Sequence, residues 1–328
     1  MRILIQGMGS VGQRHFRNLR RLGHEAAFLR RDGMIRPFVK DFLDQEKQAG
    51  NEILCFTSLE EAVSAFQPTA LFVCTPNANH LADALAGAQF GLHLFIEKPV
   101  HSTLEGLEEL QRIVTEKKLI VQIGYQLRFH PLLANVKALV ANGELGKVLS
   151  ASVEVGESIE DWHPWEDYQE TYAPWVRGGG GSLLCFSHDI DYLYWILGNP
   201  KHVYSVGGKV TPLVGDAEDL VQSLWGYEDR STALLHIDYW QRPKVRRLKL
   251  IGTTKTCVWE EASALLIWEH ASGALSQIPL PYGYERNDMF IKEVTHFIDC
   301  MNHVREPMTS LAEGVEVLKI VERMKSSL

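Results

Sequence analysis

The sequence has little cysteine. Five residues, Cys55, Cys74, Cys185, Cys257 and Cys300, are scattered over 328 positions, and none belongs to a C-x-x-C pair. An odd, dispersed set gives neither a disulfide framework nor a zinc knuckle, and it fits a reducing, cytoplasmic setting. No apolar run reaches the roughly 18 residues that a membrane span needs. Met1 leads straight into a strand-like pattern, with no charged stretch ahead of a long apolar core, so no signal peptide is expected. A basic stripe or tail is also missing. With 33 Lys and Arg against 41 Asp and Glu, the net charge is −8, and nucleic acid is an unsuitable partner. The one basic cluster, Lys244, Arg246, Arg247 and Lys249, alternates with Val245 and Leu248 as the wet face of a strand does.

What remains is an ordinary globular composition, 45% hydrophobic and 23% charged, in a chain long enough for two domains. Short apolar strands are expected at 2–6, 26–29, 53–56, 70–74, 92–96 and 119–123. Helical stretches separate several of them, among them 13–21, 79–89 and 104–116. Such alternation predicts a parallel sheet covered on both faces, an α/β Rossmann-type domain over residues 1–124. From about residue 148 the pattern changes. Strands at 148–157, 203–210, 219–227, 231–239, 245–251, 255–260, 264–269 and 275–279, mostly joined by short turns, predict a second, α+β domain over 125–328 with a mainly antiparallel sheet. Two closing helices, 285–303 and 310–326, can pack back on the first domain.

Gly7-Met8-Gly9-Ser10-Val11-Gly12 stands between the first strand and an amphipathic helix, the setting in which G-x-G-x-x-G binds a dinucleotide. Gly7 permits the tight turn, Gly9 lets backbone approach a pyrophosphate, and Gly12 lets helix pack on strand. The phosphates then lie at the helix N-terminus, by Ser10 and Val11, where free amides and the helix dipole favour anions. The second strand ends in Leu29-Arg30-Arg31-Asp32, with Arg30 where NAD enzymes place an acid for the ribose hydroxyl. A guanidinium binds a 2′-phosphate through charge-assisted bonds, so NADP is expected in preference to NAD. The competing reading has Asp32 reaching the ribose one residue late, with Arg30 and Arg31 on the surface.

Four further segments identify a relationship: Cys74-Thr75-Pro76-Asn77 with His80, Glu97-Lys98-Pro99, Gly124 to Pro131, and the run Gly178 to Gly198 containing Ser187-His188-Asp189-Ile190-Asp191. In this order, behind the glycine motif, they make a chain that resembles the Gfo/Idh/MocA oxidoreductases along essentially its whole length. Asp161 to Tyr168 also looks like a branch associated with bacterial surface-sugar pathways. The resemblance implies an NAD(P)-dependent dehydrogenase that moves hydride between nicotinamide and a hydroxyl-bearing carbon of a sugar or sugar derivative. It also implies dimers or tetramers packed through an open C-terminal sheet.

Hydride transfer from an alcohol carbon requires a base for the hydroxyl proton, and a cation to steady the developing alkoxide. By resemblance, Lys98 sits beside nicotinamide and substrate, with Glu97 orienting it or holding its charge; a cis bond before Pro99 is allowed there. His188 is the implied acid or base, and Asp191 either orients it or forms a plain helix salt bridge. Thr75, Pro76, Asn77 and His80 are placed at the cofactor, His80 alternatively as a helix cap. Arg128 binds an anionic or polyhydroxyl substrate, or makes a salt bridge between domains. Trp162, Trp165 and Tyr168 stack on a sugar or line a subunit interface. No metal site is expected. The chain departs from the family at Leu184, where many members carry an aspartate four residues before the histidine; Cys185 is expected in the core. Two other functions compete: lyase or glycosidase chemistry with transient cofactor use, and a catalytically silent nucleotide sensor.

Overall fold

Runs of aliphatic residues buried on both sides fix the first sheet. The computed structural model describes residues 1–30 and 36–328. In chain order the first elements are β1 (Arg2–Gln6), α1 (Ser10–Arg21), β2 (Glu25–Leu29), α2 (Pro37–Gln48), β3 (Cys55–Phe56), α3 (Leu59–Phe66), β4 (Ala70–Val73), α4 (His80–Gln89), β5 (His93–Glu97), α5 (Leu107–Lys117) and β6 (Val121–Gly124). The strands pair in parallel in the order β3-β2-β1-β4-β5-β6. That order reverses between β1 and β4, and ligands of such sheets bind in the crevice at the reversal. Ile3, Leu4 and Ile5 of the central strand are wholly buried, as are Leu71, Phe72 and Val73 beside them. An aromatic core locks helices onto the sheet: Phe16 stacks on Phe28 while Phe42 meets both edge-on.

The second series comprises α6 (Pro131–Ala141), β7 (Val148–Gly156), α7 (Ser182–Cys185), α8 (Ser187–Leu197), β8 (His202–Gly208), β9 (Leu220–Gly226), β10 (Thr232–Asp238), β11 (Val245–Gly252), β12 (Lys255–Glu260), β13 (Ala264–Glu269), β14 (Leu275–Pro279), α9 (Asn287–His303) and α10 (Leu311–Lys325). Its eight strands run β14-β13-β12-β11-β7-β10-β9-β8. Six of the seven pairings are antiparallel, and β7 with β10 is parallel. The long connection after β7, which holds α7 and α8, gives the chain room to return in the same direction.

The chain divides into two compact units, Met1–Gly124 with Phe290–Val315, and Tyr125–Met289 with Glu316–Leu328. The segment from Phe290 joins the first unit for two reasons. Phe297 packs edge-on against Phe72 and Phe95. Thr309 and Ser310 cover the outer edge of β6, where the Ile123 amide donates to Thr309 O and the Thr309 hydroxyl donates to Ile123 O.

Three local expectations need correction. The third strand shortens to Cys55–Phe56, a two-residue edge paired only with β2. The first helix begins at Ser10, not Gln13, so it starts inside the glycine motif. The basic cluster on β11 is not all wet. Arg246 shares a face with Leu248 and Leu250, its side chain is 13% exposed, and it bonds the carboxylates of Asp189 and Glu261 at 3.2 Å each. Arg247 is exposed on the opposite face.

Candidate functional site

Gly7 follows β1 with φ +106°, a conformation open to glycine, and a Cβ there would lie 2.5 Å from Cys74 O in the turn after β4. A Cβ on Gly12 would lie 2.1 Å from Gly7 O. The turns after β1 and β4 therefore touch backbone to backbone, and α1 is drawn against both. Beside Gly9 the space is open: a Cβ would meet nothing within 4 Å. Gly9 caps α1 without a side-chain bond, and the first turn holds no acidic residue. Ser10 and Val11 are half-buried at this end. Unblocked amides, dipole and clearance together suit a pyrophosphate.

Polar side chains tie the strand ends together. Asp83 of α4 accepts from Gln6 Nε2 at the end of β1 (2.7 Å) and from Thr75 Oγ1 after β4 (2.6 Å). His80 is 1% exposed, with Nε2 2.7 Å from Thr75 O and Nδ1 2.7 Å from Pro99 O. Burial draws its pKa below the ordinary histidine value, against the pull of those carbonyls, Glu97 and Asp83. Asn77 is buried and Pro76 exposed on the same turn. Arg30 is half-exposed at the end of β2, its amide bonded to Phe56 O; Arg31 and Asp32 lie outside the described residues.

Lys98 follows β5 at the carboxyl edge of the sheet, half-buried, and the Lys98–Pro99 bond is cis. Glu97 is 8% exposed and takes a 2.7 Å bond from His15 Nε2 of α1. The other Glu97 oxygen lies 3.4 Å from the Lys98 amide. His15 is completely buried among the rings of Phe72, Phe95 and Phe290. Sequence reading missed His15 and Asp83. A signal for His15 existed: it lies one helical turn after Gly12, beside Phe16, on the buried face of α1, where a polar side chain must find a partner.

In the second unit His188, on the first turn of α8, is 5% exposed, and its ring meets Tyr125 edge-on at 5.6 Å. Asp191, one turn on, accepts from Arg128 twice, at 2.7 Å from Nη2 and 3.1 Å from Nε. Both side chains are buried, 1% and 0% exposed. This pairing lies within one unit and fixes α8 to the turn Gln126–Phe129. Leu184 and Cys185 are core residues. Tyr239 meets the Cys185 side chain, and burial raises the tyrosine pKa.

The aromatic loop separates by burial. Trp162 packs edge-on against Phe186 and Tyr239 at 5.5 and 5.2 Å, as part of the core's rim. Tyr168 accepts the Val214 amide through its hydroxyl, at 3.0 Å. Trp165 is 56% exposed, with the His163 ring 5.0 Å away. Among the described residues no group of three or more His, Cys, Asp or Glu side chains gathers as metal ligands, and no helix is long and apolar enough to cross a membrane.

Comparison with known proteins agrees with this layout. A family model described as oxidoreductase family, NAD-binding Rossmann fold, matches residues 1–125, and one for the GFO/IDH/MocA C-terminal domain matches 133–258. The chain is 24% identical over 333 residues to the uncharacterised oxidoreductase YrbE of Bacillus subtilis, spanning 99% of this chain and 93% of that one. It is 24% identical over 336 residues to a myo-inositol 2-dehydrogenase of Thermotoga maritima, spanning 100% and 96%. Among solved structures, levoglucosan dehydrogenase in complex with NADH and levoglucosan superposes with TM-score 0.86 at 16% identity, over 100% of this chain and 96% of that one. Both family domains thus match in order along one polypeptide, over the two sheets described above, and the chain belongs to the Gfo/Idh/MocA family of NAD-binding oxidoreductases.

Proposed function

We propose that the protein is an NAD(P)-dependent dehydrogenase acting on a hydroxyl or keto carbon of a sugar or sugar derivative. The observation that carries this reading is Lys98 at the carboxyl edge of β5, in the same sheet whose β1–α1 turn leaves clearance and free amides for a pyrophosphate. Bound there, the dinucleotide supplies the hydride donor or acceptor. Gly7, Gly9, Ser10, Val11 and Gly12 form its phosphate cradle, and the turn Thr75-Pro76-Asn77 borders it. Lys98 Nζ takes the hydroxyl proton or steadies the alkoxide, and Glu97, held by His15, balances its charge. His188 is the proposed proton donor or acceptor of the second unit. Arg128 and Asp191 are read as positioning α8, since Nε and Nη2 of the guanidinium are bonded to the two carboxylate oxygens. Of Trp162, Trp165 and Tyr168, Trp165 is the most exposed and so the best placed to stack on a sugar ring.

The substrate class is supported by relatives whose names specify inositol and levoglucosan. A panel of free sugars, cyclitols and nucleotide-linked sugars, followed at 340 nm, tests it. Net absorbance change with at least one member is expected. Product formed without any net change would instead place the protein among variants that recycle cofactor within each turnover.

We assign the cofactor as NADP in preference to NAD on Arg30. Arg30→Ala is expected to weaken NADPH binding by about tenfold or more, the worth of a charged hydrogen bond, with little effect on NADH. Equal losses for the two coenzymes in a fluorescence titration would refute the assignment. A homodimer or homotetramer through the C-terminal sheet is supported by its outer face, where Tyr204, Leu224 and Leu234 lie exposed in one cross-strand row. A cytoplasmic location fits the free cysteines, with no disulfide among the described residues.

A further inference from the structure

We infer that His80 is a positioning residue for Lys98, tying the loop after β5 to the loop after β4. The inference rests on Lys98 being the reacting lysine proposed above. His80 opens α4 and spans two main-chain carbonyls that belong to different strand ends, Thr75 O and Pro99 O, at 2.7 Å each. A carbonyl oxygen only accepts, so the ring holds both at once when both nitrogens carry a proton, and the neutral ring donates to one of the two. A helix cap would instead accept from the amides of its own first turn; the structure records none from His80, and both nitrogens point at other loops.

The two ends of this tie are not equally fixed. On the β4 side, Thr75 is also held through its hydroxyl by Asp83, and Asp83 is held by Gln6 of β1. Backbone contact with Gly7 secures the same turn. On the β5 side, Glu97 is anchored by His15, but that anchor precedes Lys98. After Lys98 the bonds seen include the one between His80 and Pro99 O and a longer one, 3.2 Å, between His101 Nδ1 and Asn77 O. The lysine therefore sits between two histidine-held points, and His80 governs the nearer one on its C-terminal side. Release of that point lets Lys98 shift against the Glu97 carboxylate, which stays in place. Glu97 adjoins Lys98 in sequence and is held by His15, so a shift of the lysine against that carboxylate changes its proton affinity.

The test uses the full chain without coenzyme or substrate, in His80→Phe and His80→Asn variants. Hydrogen exchange of the peptide covering 98–103 is expected to quicken about tenfold in His80→Phe, the effect of losing one buried hydrogen bond, while 74–79 stays near wild type. His80→Asn, whose amide can still donate once, should fall between. In parallel, 13C-dimethylated lysines are titrated by NMR, with Lys98 assigned through Lys98→Arg. The Lys98 titration midpoint is expected to move in His80→Phe, while the other lysines keep theirs. A protein merely loosened overall would speed exchange in both peptides and leave the midpoint alone. Should His80→Phe fail to fold, His80→Asn carries both measurements. Unchanged exchange at 98–103 with an unmoved midpoint overturns the inference. Loss of the catalytic reading is seen separately, as Lys98→Met that keeps turnover.

Discussion

Lys98→Met is expected to lower turnover by about 10²- to 10⁴-fold, the range for removing a positioned acid–base group, with coenzyme affinity unchanged. Methionine keeps the length and apolar stem and discards the ammonium. The local frame does not depend on that ammonium: His15 holds Glu97, His80 holds Pro99, and β5 is wholly buried from Leu94 to Ile96. The loss therefore reports on chemistry, with kcat and kcat/KM falling together. Lys98→Arg sharpens the point. Arginine restores charge but does not release its proton near neutrality, so it is expected to help substrate binding and leave turnover low. Wild-type turnover in the methionine variant would remove Lys98 from the reaction.

The second large effect is on stability. Asp191→Ala leaves the Arg128 guanidinium buried without its carboxylate, in a pair whose side chains are 1% and 0% exposed. Breaking one partner of a buried pair costs about 3–5 kcal/mol. For a unit of this size that corresponds to a fall of roughly 10 °C in the unfolding midpoint, measured by calorimetry. Arg128 also lies over the Trp195 ring, at 5.6 Å, so the charge loses its carboxylate but keeps an aromatic face. The double variant Arg128→Met with Asp191→Leu removes both charges and is expected to recover most of the loss. As a contrast, Arg112 pairs with Glu109 and Glu116 on the exposed face of α5, and Arg112→Ala should leave the midpoint unchanged. A full-sized drop in the double variant would show that packing, not charge burial, sets the cost.

The first unit was legible because its physics is local. Parallel strands buried on both faces read as unbroken apolar runs, and β1, β2, β4 and β5 stand within one or two residues of expectation. Gly7 and Gly12 were legible for the same reason, since each is forced by a close backbone approach. Helices α2 and α6 left a start signal that was passed over: Pro37 and Pro131 occupy their first positions, and Leu132, Leu133 and Val136 follow with helical spacing. Partner choice was not legible. Asp191 lies three residues from His188 in sequence, which left it to orient the histidine or to form a salt bridge, and the cation its oxygens meet, Arg128, is 63 residues away. Arg246 looked like one of four wet cations, but the pleat puts it on the inner face with Leu248, where Asp189 and Glu261 meet it. The parity of a strand decides that, and a run of three charges in four residues hides the parity. Trp162 and Trp165 are three residues apart and alike in composition; only tertiary packing on Phe186 and Tyr239 separates a rim residue from an exposed one.

Everything proposed for Lys98, Arg30 and His188 depends on a dinucleotide seated at the turn between β1 and α1. Isothermal titration calorimetry of the purified chain with NAD, NADH, NADP and NADPH addresses this directly. The account predicts saturable binding of at least one coenzyme, one per chain, abolished by Gly12→Ala because the new Cβ would fall 2.1 Å from Gly7 O. Heats indistinguishable from dilution with all four, from a folded sample, would contradict it.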